Sequence, residues 1–134
     1  GGARFLTGTP NVPALYAATA GYDIIEEVGV ARIRERSLEL TERLIGLLDD
    51  AGYEVVSPRA QGRRGGTVVV RVPEFAAVHA ELERRAILCD FRPDVGLRLG
   101  PHFFTTDAEI DFVAAQIGEI ALAAAPALAT QPAR

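Results

Sequence analysis

The chain has 134 residues, 49% hydrophobic and 24% charged, enough for one domain with its own core and too few for two. All 14 basic residues are arginine and the formal charge is −4, which removes any lysine nucleophile of the Schiff-base kind and argues against a nucleic-acid partner, whose phosphates need clustered cations. The single cysteine, Cys89, excludes an internal disulfide, and with the separated histidines His79 and His102 it gives no metal-ligand spacing, so a reduced, cytoplasmic setting without a metal is expected.

Residues 1–12 are rich in glycine, threonine and other turn formers and predict an ordered arm. Residues 13–28 then place Leu15, Ala18, Tyr22 and Ile25 at helical steps, and Gly29 breaks the pattern. The second helix is the most regular. Val30, Ile33, Ser37, Leu40, Leu44, Leu47 and Leu48 form one stripe, Arg32, Arg36, Glu39, Arg43 and Asp50 face away, and Gly52 suits a C-cap.

A short strand at 53–56 ends at Ser57-Pro58, and the arginine- and glycine-rich stretch 59–66 reads as a solvated connection. Residues 67–72 are mostly β-branched and predict a strand closed by Pro73, which lacks an amide hydrogen. The third helix is expected over 74–86 with Phe75, Val78, Leu82 and Ala86 inward. Strands at 87–91 and 95–99 flank the turn Arg92-Pro93-Asp94. Thr106 and Glu109 form a capping box at the head of a fourth helix carrying Ile110, Val113, Ile117 and Ile120 on one side.

The apolar stretch 117–128 contains Glu119 and Pro126 and is too short to span a bilayer, and no basic segment precedes an apolar one at the N-terminus, so no membrane partner is expected. Residues 125–134 read as a flexible tail. The order of helices and strands predicts an α+β domain over 13–124: a small, mainly antiparallel sheet covered on one face by the second, third and fourth helices.

Few residues stand out for chemistry. Strand alternation sends Val95, Leu97 and Leu99 to the core and Arg98 to the opposite face, between Gly96 and Gly100, where nothing shades the guanidinium. Bare backbone beside a planar donor fork suits a carboxylate ligand, although a solvated arginine on an edge strand gives the same spacing. Gly8-Thr9-Pro10-Asn11 precedes a helix whose free amides favour an anion, although Asn11 as a simple N-cap explains the same residues. Cys89 lies in an apolar run and reads as a buried inert thiol. Asp90, Asp94 and Asp107 read as turn and cap residues, and His102 draws notice only because it follows Gly100-Pro101.

Several strings together resemble one family. Arg4-Phe5-Leu6-Thr7-Gly8-Thr9-Pro10-Asn11 is similar to the segment opening the C-terminal part of class V aminotransferase-group enzymes, which are fold-type-I pyridoxal-phosphate proteins. Cys89-Asp90-Phe91-Arg92-Pro93-Asp94, followed by Leu97-Arg98-Leu99-Gly100-Pro101, resembles kynureninase, and the likeness runs from about Arg4 to Ile120.

The resemblance implies the C-terminal small domain and interface arm of a homodimer with shared active sites, completed by a large domain upstream. It implies that Arg98 grips the α-carboxylate of an amino-acid substrate and that Thr9 contacts the phosphate of pyridoxal phosphate in the neighbouring subunit. Gly8, Asn11 and His102 are then candidates for the substrate pocket. The implied reaction is hydrolysis of kynurenine to anthranilate and alanine, with no catalytic residue in this segment because the family's lysine lies upstream; alone the segment is expected to be inactive. His102-Phe103-Phe104 stands where the family carries a proline and tyrosine run. Two alternatives share the residues: the small domain of a cysteine desulfurase, selenocysteine lyase or other class V aminotransferase, and a non-catalytic α+β interaction module.

Overall fold

A computed structural model describes Arg4 and residues 8–124. The expected tail 125–134 and most of the expected arm, residues 1–3 and 5–7, lie outside the described residues. The chain divides into two units, Gly1–Glu35 and Arg36–Arg134.

In the first unit, α1 spans Val12–Val28. Asn11 caps it, its side-chain oxygen accepting from the Ala14 amide at 3.1 Å, and Pro13 sits in the first turn where an amide hydrogen would have had no partner. Gly29, with φ 88°, ends the helix and donates to the Ile25 carbonyl at 2.9 Å. No residue of α1 is buried. Helix α2, Val30–Asp50, starts immediately afterwards and runs on into the second unit. Its first residue, Val30, is 71% exposed, so the apolar stripe starts later than the spacing predicted.

The second unit holds the core. On α2 the buried positions are Leu40, Thr41, Leu44, Ile45 and Leu48. Thr41 is tolerated there because its hydroxyl donates to the Ser37 carbonyl at 2.8 Å, leaving no unpaired polar group. The helix stops as expected: Gly52 takes φ 79° and the Tyr53 amide reaches back to the Leu48 carbonyl at 3.0 Å. Four strands follow: β1 Glu54–Val55, β2 Val68–Arg71, β3 Asp90–Arg92 and β4 Gly96–Leu99, in the order β1-β2-β4-β3 and antiparallel throughout. Helix α3 is Phe75–Arg84, between β2 and β3, and α4 is Asp107–Ala124.

The register sorts the sheet into two faces. Val55 pairs with Val70, Val68 with Leu99 and Val70 with Leu97, and all of these are buried in one cluster with Leu40, Leu44 and Leu48 of α2, Val78 and Leu82 of α3 and Ile110, Ile117 and Ile120 of α4. Each such side chain contributes roughly 1.5–3 kcal/mol by leaving water. The opposite face carries Glu54 beside Arg71 and Val69 beside Arg98. This is the α+β architecture expected from the order of elements.

Local expectations fail between α3 and the β3–β4 hairpin. Ala86, expected inward, is exposed with φ 60°, and the Ile87 amide folds back onto the Leu82 carbonyl at 2.9 Å, so the chain closes the helix instead of extending. The strand expected over 87–91 therefore begins only at Asp90. Leu88 is 90% exposed. Val95, expected in the core, belongs to the turn and is exposed, because β4 starts one residue later.

Candidate functional site

Arg98 lies on the solvent-side face of β4, as alternation predicted, but it is not unshaded. Its register partner on β3 is Asp90, whose carboxylate makes an ion pair with Nη2 at 2.7 Å, and both side chains are about 40% exposed. Asp90 also accepts from Arg92 Nη1 at 3.0 Å. Asp90 is thus a strand residue holding two arginines, not the turn residue expected. Among the described residues it is the sole polar partner of Arg98, and the Arg98 Nε–H is buried with no acceptor. A buried N–H without a partner is costly, so this one stands out.

The two glycines beside Arg98 serve different ends. A Cβ on Gly96 would lie 2.3 Å from the Val70 carbonyl oxygen, and its φ is 132°. The neighbouring strand therefore dictates glycine there, and ligand access does not. Gly100 has open space around it, with Thr67 Oγ1 at 3.9 Å the nearest atom a Cβ would meet. Gly100 and Arg98 line a cavity of ≈ 310 Å³ together with Thr67, Leu88, Cys89 and Asp90. A second, apolar cavity of ≈ 150 Å³ shares Leu88 and Gly100 and continues between Leu44, Leu99 and Ile110.

The thiol of Cys89 is half-buried against the core, and burial first, then the charges of Glu83 and Asp90, push it up from its ordinary value. That is the opposite of an activated nucleophile. The Cys89 carbonyl faces Nε2 of His79 at 3.2 Å, and the His79 ring meets Phe91 edge-on at 4.9 Å, which ties the irregular residues before β3 to α3.

His102 is not among the residues that line the Arg98 cavity, and Gly8, Thr9 and Asn11 belong to the first unit. His102 is exposed and packs on Phe103 and Phe104 at 4.6 and 4.4 Å. Gly8, Thr9 and Asn11 are exposed in the first unit, and the Asn11 side chain is engaged as the α1 cap. Arg64, expected in a solvated loop, is buried. Its guanidinium donates to the Arg59 carbonyl at 2.8 Å and to Glu42 at 2.7 Å, pinning the connection before β2 to α2. Among the described residues no group of acidic, histidine and cysteine side chains could hold a metal, and no helix is long and apolar enough to cross a membrane.

Asp90 is the residue that sequence reasoning missed. The hairpin turns about Asp94, whose φ is 64°, and so sets Asp90 directly across from Arg98, whereas the turn expected at Arg92-Pro93-Asp94 centres on Pro93 and gives another register.

Residues 33–117, which include both Asp90 and Arg98, match the kynureninase C-terminal domain family. The chain belongs to that family. Among similar proteins, a kynureninase of Deinococcus radiodurans is 39% identical over 105 residues, covering 75% of this chain and 25% of its own. A kynureninase of Pseudomonas fluorescens is 33% identical over 123 residues, covering 88% and 30%. The chain thus spans about a quarter to a third of these kynureninases. The solved apo structure of a cysteine desulfurase from Thermococcus onnurineus superposes with a TM-score of 0.80 at 23% identity, over 90% of this chain and 34% of that one. At that identity the likeness establishes a shared fold.

Proposed function

We propose that this chain is the C-terminal part of a pyridoxal-phosphate-dependent, kynureninase-like hydrolase, and that Arg98 holds the α-carboxylate of its substrate. The observation that carries the reading is the state of the Arg98 guanidinium. It faces a cavity, it is held on one side by Asp90, and its buried Nε–H has no acceptor. A planar fork with free N–H groups matches a carboxylate and orients it as a point charge does not.

The fit to pyridoxal phosphate is partial by composition. With no lysine in 134 residues, this chain offers nothing to the cofactor's aldehyde, which requires an amine. The Thr9 hydroxyl, just ahead of α1, is compatible with its phosphate, because that helix start carries no acidic residue in its first turn. Thr9 would thus supply a phosphate contact to the neighbouring subunit of a homodimer. When bound, the cofactor supplies an electron sink for the substrate's bond cleavage.

This chain's part is binding and orientation. In the net reaction the Cβ–Cγ bond of kynurenine breaks, hydroxyl from water joins the aryl carbonyl carbon to give anthranilate, and a proton joins Cβ to give alanine. Arg98 holds the carboxylate end fixed while this happens, which contributes through orientation. Covering of α1 by other parts of the assembly accords with the exposed Leu15, Tyr16, Tyr22, Ile24 and Ile25 along it. Desulfuration, the nearest rival, needs an activated cysteine, and the raised thiol of Cys89 weighs against it.

The test is anthranilate fluorescence after mixing the longest natural chain containing this segment with pyridoxal phosphate and kynurenine. Release is expected. Bound cofactor without release would move the activity to desulfuration or transamination.

A further inference from the structure

We propose that Asp90 is a positioning residue that presents Arg98 to a monoanionic carboxylate. The inference rests on the reading of Arg98 as a carboxylate-binding group and assigns the fixing of its guanidinium to a second residue. A free arginine at a strand surface samples many rotamers, and a ligand that must freeze them binds more weakly. Here the freezing is done in advance. Asp90 and Arg98 are register partners on β3 and β4, so the backbone ladder sets their separation before either side chain acts. The Asp90 carboxylate then takes Nη2 of Arg98 at 2.7 Å.

Asp90 is itself tethered from the other side by Arg92 Nη1 at 3.0 Å. Two arginines and one carboxylate leave one net positive charge, which a monoanion neutralises. Asp90 engages only Nη2, so Nη1 and the buried Nε–H of Arg98 stay without partners among the described residues. The group is held without being used up. Were Asp90 instead a competitor occupying the ligand's place, removing it would strengthen carboxylate binding, so the sign of the effect decides between the two roles.

The test is side-chain NMR on the chain labelled with nitrogen-15 arginine, with the Arg98 Nε–H signal assigned by its loss in Arg98→Lys. Sodium acetate at constant ionic strength is the probe. In the unmodified chain a resolved Nε–H signal should shift saturably with acetate. Asp90→Ala should merge that signal with those of mobile arginines and raise the acetate midpoint about tenfold. Asp90→Asn, which keeps an acceptor without the charge, should lie between, and it carries the comparison if the alanine variant's backbone amide spectrum shows misfolding.

A purely structural role would alter the backbone spectrum and leave the midpoint in place. A saturable shift that Asp90→Ala leaves unchanged or tightens overturns the role of Asp90 alone. No saturable shift in the unmodified chain removes the carboxylate site itself and this inference with it.

Discussion

Replacing Arg98 with lysine keeps the charge and removes the fork, so the variant separates electrostatic attraction from geometric orientation. In the complete enzyme Arg98→Lys should raise KM for kynurenine at least about tenfold, about 1.4 kcal/mol. Because Arg98 is off the core face, thermal unfolding should move little. Unchanged substrate kinetics would remove the assignment. The outward position of Arg98 on its strand was legible in the sequence because side chains alternate along a strand. Asp90 was not, because its role depends on which residue of the returning strand it meets, and that register is a property of the hairpin. Arg64 shows the same limit: a run of two arginines and two glycines reads as solvated, and the proximity of Glu42 and of the Pro58 and Arg59 carbonyls makes burial of the charge tolerable.

Among the elements, α4 has the clearest local code. The Thr106 amide donates to Glu109 at 2.7 Å, and the Glu109 amide donates to Thr106 Oγ1 at 3.2 Å, the reciprocal pair that the spacing predicted. Thr106→Ala should cost about 1 kcal/mol in urea unfolding, with an unchanged m-value; no loss would mean that the packing of Ile110 and Ile117 holds the helix start by itself. Gly96 poses a harder constraint. Any side chain there meets the Val70 carbonyl in a backbone conformation unfavourable to other residues, so Gly96→Ala should cost about 2 kcal/mol or more. A stability loss below about 0.5 kcal/mol would contradict the close approach of β2 and β4. The segment 87–89 marks the limit of propensity: Ile87 and Leu88 favour a strand, but the closing turn of α3 uses the Ile87 amide first.

For the whole molecule, charge pairs link elements that are distant in sequence. Arg36 meets Asp107 at 2.6 Å and Arg43 meets Asp111 at 2.7 Å, both between α2 and α4. Asp111 is held below its ordinary value by Arg43, Asp49 by Arg59, and Glu109 by the amide and hydroxyl of Thr106. Glu81, between Arg84 and Arg85, falls to about 2. Each of these carboxyls binds a proton more readily unfolded than folded, so each contributes stability above its unfolded value and loses it as pH falls through its folded one. The urea midpoint should therefore stay flat from about pH 7 to 5 and fall between roughly pH 4.5 and 2, with less decline in high salt, where exposed pairs are screened. A midpoint that rises on acidification would contradict these shifts.

The order of elements, the inward positions of Leu40, Leu44 and Leu48 on α2 and the caps at Asn11, Gly52 and Thr106 were settled by the sequence itself, because helix periodicity and end-capping act over three or four residues. The register that sets Asp90 against Arg98, the demand for glycine at position 96 and the burial of Arg64 were decided only by the tertiary structure. Each depends on an atom that another stretch of chain brings within about 3 Å.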